Sequence, residues 1–154
     1  MELPPYDWVV LHPLPTLAPR KRLHTLTGSP YDEALRDIHD ANGGKAKVWK
    51  AQQPMKASDL LVTSVATVPR MYICVEALRS DFDPLTSSKI DIDPNNWVNF
   101  DNGILAPAID KALGWKVEAS ATYRGGDARA ILAALDAEYQ LNIPWFTPLR
   151  WRDV

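Results

Sequence analysis

Thirteen of the 154 residues are proline, and their positions limit what the chain can build. Proline lacks a backbone donor and fixes φ, so it is excluded from central strands and from helix interiors beyond the first turn. The prolines of HPLPTLAPRKRLHTLTG argue against a regular element there. Residues 1–28 therefore read as a short strand over 7–11 followed by a partly extended, proline-rich arm. Pro54 and Pro69 divide the middle of the chain into stretches 45–52, 60–68 and 71–77, rich in Val, Ile, Thr and aromatic residues, which read as strands. Val68-Pro69-Arg70-Met71 joins two of them tightly. Pro84 and Pro94 bracket a segment that is mostly loop, with at most a short strand over 89–92 and a turn at Asn95-Asn96.

Between the prolines, apolar spacing marks three helices. Ser29 can cap the first, with Pro30 at its opening position, Asp32 at capping-box spacing and Tyr31, Ala34, Leu35, Ile38 and Ala41 on one stripe; Asn42-Gly43-Gly44 ends it. In the second, Ile104, Leu105, Ala108, Ile109, Ala112 and Leu113 share a face, Pro107 fits the first turn and Gly114 stops it. Gly125-Gly126-Asp127 leads into the third, over 128–139, with Ile131, Leu132, Leu135 and Tyr139 as its buried stripe. Between these two helices, Val117, Ala119, Ala121 and Tyr123 alternate with polar residues, as in a half-buried strand. The order implies an α+β fold: one domain over residues 1–154, an antiparallel or mixed β-sheet covered on one face by two or three helices, and an irregular aromatic tail.

Composition narrows the function classes. Hydrophobic residues make up 46% and charged residues 23%, with a formal net charge of −2. These are values of an ordinary globular domain, without the strongly basic footprint of most nucleic-acid binders. One cysteine, Cys74, lies in an apolar run and cannot form an internal disulfide; with no leader-like start and no apolar run long enough to span a membrane, the expected setting is cytoplasmic.

The densest concentration of one chemical group is the segment 80–103, which holds Asp81, Asp83, Asp91, Asp93 and Asp101. On a strand, Asp91 and Asp93 would point to one face, with Asp101 as a third carboxylate, a set able to hold Mg²⁺ or Ca²⁺. An EF-hand is rejected, since Asn96 replaces the turn glycine and Asn102 the bidentate glutamate. The plainer reading is that these aspartates serve turns and caps. The piece NFDNGILAPAIDKAL resembles, over some fifteen residues, the RusA family of Holliday-junction resolvases, through Asp101-Asn102 and Asp110-Lys111-Ala112-Leu113. Asn99 stands where that family has its first aspartate, so the resemblance implies no more than a metal-dependent phosphodiester hydrolase as an alternative.

Other candidates are weaker singly. Arg124 and Arg129 flank Gly125-Gly126 between a strand and a helix, a place for a phosphate or carboxylate, although such a turn is common without a ligand. Arg20-Lys21-Arg22 is a basic cluster that could touch an acidic partner, with a solvated loop as the plain alternative. His12, His24 and His39 have no zinc-site spacing. Glu76 would share a strand face with Cys74, more simply a core thiol than a catalytic pair. Loop aromatics with arginine are enriched in binding hot spots, which singles out Trp97, Trp145, Phe146, Arg150 and Trp151. The expectation is thus a binding protein without a legible catalytic site and with no required cofactor, acting on another protein. The alternatives are the metal-dependent hydrolase and a small-molecule binder with an aromatic pocket.

Overall fold

A computed structural model of the protein describes residues 13–28, 45–47, 53–87 and 89–142. It has a mixed α+β architecture. Among the described residues six strands form one open sheet: β1 (Leu23–Gly28), β2 (Lys45–Lys47), β3 (Leu60–Val65), β4 (Met71–Leu78), β5 (Lys89–Leu105) and β6 (Ala121–Tyr123), in the order β2-β5-β4-β3-β1-β6. Two helices are described with them, α1 (Ala106–Leu113) and α2 (Gly125–Asn142). The expected strand over 7–11, the helix after Ser29 and the aromatic tail beyond Asn142 lie outside the described residues.

The sheet has apolar residues on both faces because its strands alternate. Leu23, Leu60, Val62, Val75, Ala77 and Val98 pack on one face against Ile109 of α1 and Ala128, Ile131 and Leu135 of α2. Both helices therefore cover the same face. Leu26, Leu61, Leu78, Ile90 and Ile92 point to the other face and meet Met55 and Phe82. An isolated bridge between Met55 and Phe82 holds those two loops together. Every residue of β3 is buried, as suits a central strand covered on both sides. In α1, Pro107 sits in the first turn, and Gly114 caps the end at φ 78 with its N–H on the carbonyl of Asp110.

Three sequence expectations are corrected. Leu23–Gly28, expected as part of the arm over 1–28, is instead a sheet strand, β1, hydrogen-bonded between β3 and β6. Its six residues contain no proline, and Thr and Leu suit a pleated position. The Asp-rich stretch is not mostly loop: β5, a strand of 17 residues over Lys89–Leu105, takes up its larger part. It accommodates Pro94 and Gly103 through two register shifts against β4, one between Glu76 and Leu78 and one between Tyr72 and Cys74. At the second shift Gly103 has φ 70 and lies directly against the Met71 side chain, so a β-carbon there would overlap it. The strand expected over 116–123 shrinks to Ala121–Tyr123.

Two leucine-sized sites separate core from surface. Ile131 is fully buried between α2 and the sheet, whereas Leu85 is 91% exposed in the loop after Phe82. Ile131→Ala is expected to lower the unfolding free energy in urea by about 2–5 kcal/mol through lost burial and a cavity, and Leu85→Ala to leave the denaturation midpoint nearly unchanged.

Candidate anion-binding cleft

Strand direction decides which loops share one end of the sheet. β1 and β3 pair in parallel, with Leu23 opposite Leu60, so the segments leading into them, ending at Arg22 and Asp59, arrive at the same end. β6 runs antiparallel to β1 with Tyr123 opposite Leu23, so its exit also falls there. That exit is Arg124, followed at once by the first turn of α2. Three segments distant in sequence therefore converge on one corner of the fold.

At that corner is a cleft of about 510 Å³. The lead into β1 contributes Leu17, Arg20, Lys21 and Arg22, the lead into β3 contributes Lys56, and the opening of α2 contributes Arg124, Gly125 and Arg129. Six of these eight described lining residues are cationic. Arg22 pairs with Asp59 at 3.3 Å, and Lys56 pairs with Asp81 at 3.5 Å where both side chains are more than half exposed. Among the described residues, Arg20, Lys21, Arg124 and Arg129 have no acidic partner in an ion pair. Gly125 has φ 56, which turns the chain from β6 into the helix and leaves first-turn N–H groups without intrahelical acceptors. Positive side chains and a helix N-terminus thus converge on the same space, with Asp127 an opposing carboxylate in the first turn of α2.

Both loops on the β1–β3 side hold non-glycine residues in the left-handed region. Lys21 N–H donates to the carbonyl of Ala18 at 3.1 Å, closing a turn with Pro19 and Arg20 at its corners, and Arg20 has φ 67. Asp59 N–H donates to the carbonyl of Lys56 at 3.0 Å, and Ser58 has φ 69. Such a conformation costs on the order of 1 kcal/mol and persists where the surroundings hold it.

Asp59 provides that hold. Its Oδ1 accepts the N–H of Arg22 at 3.0 Å, and its Oδ2 accepts the N–H of Lys56 at 2.9 Å. Nε2 of His24 lies 2.8 Å from Oδ2, and Nδ1 of His24 lies 2.9 Å from the hydroxyl of Thr122 on β6. Burial is the largest influence on Asp59 and pushes its carboxyl upward, but hydrogen bonds from His24, Lys56 N–H and Arg22 N–H together outweigh it, leaving it below its ordinary value. Burial dominates at His24 and holds it below its ordinary value, with Arg22 and Arg124 acting in the same direction and Asp59 opposing. A neutral imidazole then donates from Nε2 to Asp59 and accepts the Thr122 hydroxyl proton at Nδ1. This hydroxyl–imidazole–carboxylate order matches that of an activated nucleophile. His24 is completely buried, however, and neither it nor Thr122 lines the cleft, so the chain of bonds acts as a brace.

Four aspartates of the Asp-rich stretch, Asp81, Asp83, Asp91 and Asp93, have partners within the protein. Arg79 donates to both oxygens of Asp91, at 2.6 and 3.1 Å to one and 3.1 Å to the other, and the Ser80 hydroxyl adds a contact at 3.0 Å. Asp93 accepts the N–H of Asn95 at 2.9 Å, Asp83 that of Leu85 at 2.9 Å, and Asp81 that of Ala57 at 2.8 Å. The side chain of Asp101 lies outside the described residues. Among the described residues no three His, Cys, Asp or Glu side chains group as a metal ligand set. Asp110, from the piece resembling RusA, accepts the N–H of Val117 at 2.9 Å and so ties α1 to the following loop.

Of the contact residues read from the sequence, Arg124 and Arg129 meet in the cleft. Trp97 is half-buried, its indole N–H donating to the carbonyl of Pro94 at 2.8 Å. Trp145, Phe146, Arg150 and Trp151 lie outside the described residues. Sequence reasoning treated Arg20-Lys21-Arg22 and Arg124–Arg129 as separate weak candidates, and it passed over Lys56 and Asp59. No family model matches the chain, and no curated protein or solved structure proves similar to it.

Cys74 and Glu76 do share a face of β4, as the alternation implies. The thiol donates to Oε1 of Glu76 at 3.3 Å, and both residues are buried. Burial pushes the thiol well above its ordinary value and Glu76 up to about 7. Glu76 therefore binds its proton more tightly folded than unfolded. Its contribution to stability is full below the ordinary glutamate value near 4.5 and is lost as pH rises to about 7. The stability gained by Glu76→Gln over the parent in urea unfolding is accordingly expected to grow from pH 5 to pH 8.5, by on the order of 3 kcal/mol. A gain equal at both pH values would contradict the assigned burial of that charge.

Proposed function

We propose that this protein is a binding protein whose ligand is an anion bearing phosphate, held in the basic cleft at the shared end of β1, β3 and β6. The observation that carries this reading is the convergence of Arg20, Lys21, Arg22, Lys56, Arg124 and Arg129 on one space, in a chain whose net charge is only −2. Four of these cations, Arg20, Lys21, Arg124 and Arg129, have no acidic partner in an ion pair among the described residues; like charges held together repel one another, and an anion removes that repulsion while it satisfies the guanidinium donors. Arginine suits phosphate oxygens because its planar fork can donate two parallel hydrogen bonds. Compared with the aromatic pocket weighed as an alternative from the sequence, this reading sets a small ligand against a cationic lining. The ligand binds reversibly, through charge and hydrogen bonds.

Thermal melting in pyrophosphate tests this directly. At a ligand concentration of about 100 Kd the native state gains about 2.7 kcal/mol, which for a chain of this size raises Tm by roughly 5–10 °C. Sodium chloride at matched ionic strength should not do so, and Arg124→Ala combined with Arg129→Ala should abolish most of the shift. Absence of any shift, or an equal shift in the double variant, would overturn the proposal.

A further inference from the structure

Resting on the anion-binding reading, the geometry points to a narrower ligand class. We infer that the cleft takes a compact chain of about three phosphates, recognised through the phosphates themselves and not through an attached base. Three observations lead there.

The first is charge. Two of the six cations already share a carboxylate, Arg22 with Asp59 and Lys56 with Asp81. Four remain without an acidic partner among the described residues, Arg20, Lys21, Arg124 and Arg129. A single phosphate, with between one and two negative charges at neutral pH, leaves most of that charge unmatched. A chain of three carries about four.

The second is size and lining. The cleft volume of about 510 Å³ falls within the range of roughly 300–1,000 Å³ common for small-molecule sites. Such sites are usually walled by apolar and aromatic side chains. Among the described residues, Leu17 is the sole apolar side chain that lines it and no aromatic ring takes part. Among the described lining residues a nucleobase finds no stacking partner. The confinement of these cations to one compact cleft, in a chain of net charge −2, argues against single-stranded nucleic acid, which is bound along extended basic surfaces.

The third is the backbone of Arg20. Position three of the turn 18–21 has φ 67, a conformation in which glycine is unstrained and arginine is not. Arg20 projects into the cleft from that strained corner. Keeping an arginine where glycine would relieve the backbone is accounted for by a role of its guanidinium in holding the ligand.

The experiment is isothermal titration of the full chain, without added metal, with inorganic phosphate, pyrophosphate, tripolyphosphate, ATP, GTP and a twelve-nucleotide single-stranded DNA. Affinity is expected to rise with each added phosphate, by at least about tenfold from phosphate to tripolyphosphate. ATP and GTP should bind alike, within about threefold of tripolyphosphate. ATP or GTP binding more than about tenfold tighter than tripolyphosphate would mean that a base is recognised and would overturn the inference. So would DNA binding tighter than tripolyphosphate, or equal affinity for one phosphate and three. If no phosphate compound binds at all, the anion-binding reading itself falls, and not only the ligand class. Arg20→Gly supplies a second arm: its thermal midpoint should equal or exceed that of the parent while tripolyphosphate affinity falls at least about fivefold. Unchanged affinity in that variant would remove Arg20 from the site.

Discussion

One buried carboxylate ties the functional end of this protein together. Asp59 is 1% exposed, and burying an ion costs several kcal/mol unless it is surrounded by donors. It has them: the backbone of Arg22, the backbone of Lys56, the imidazole of His24 and the guanidinium of Arg22. Each belongs to a segment that forms the cleft or supports it. His24 passes the connection on to Thr122, so the loop before β3, the start of β1 and the edge strand β6 are bound to one point. Two of the loops so held carry positive φ at Arg20 and Ser58, and a network of this kind can maintain strained corners that a free loop would relax.

The direction of strands determines what that carboxylate can reach. Among the strand pairs of the sheet, only β1 and β3 run parallel. Parallel pairing puts the two lead-in segments side by side, where antiparallel pairing would have put them at opposite ends. The antiparallel β6 then delivers the start of α2 to the same place. Positive charge gathered in this way is local: the chain as a whole is slightly acidic, so its long-range field does not attract polyanions, and affinity must come from contacts in the cleft.

The elements legible in the sequence are those whose pattern is short-range. The stop at Gly114, the stripe of Ile131, Leu132 and Leu135 and the hairpin around Pro69 depend on neighbours a few residues away, and each appears in the fold. β1 was hidden because the prolines before it coloured the reading of Leu23–Gly28, whose partners lie 37 and about 100 positions along the chain. β5 was hidden because its bulges let a strand pass through Asp93-Pro94 and Gly103, residues that ordinarily end one. The aspartates there were legible one by one as turn formers, and Asp83 and Asp93 serve in that way. The cleft could not be read, because neither basic group shows which loop it will face. Asp59 was the least visible: an aspartate between a serine and two leucines looks like an ordinary turn residue until the parallel pairing of β1 beside it is known.

The central claim is that Arg20–Arg22, Lys56 and the first turn of α2 form a single anion site. Its most direct test is a titration of the isotopically labelled protein with pyrophosphate, followed through backbone amide chemical shifts. The account predicts that the amides of Lys21, Arg22, Lys56, Gly125 and Gly126 shift together along one saturable curve, with the amides of Asp91 and Trp97 unmoved. Shifts confined to one of the three segments, or saturable shifts centred on the β5 bulges, would contradict it.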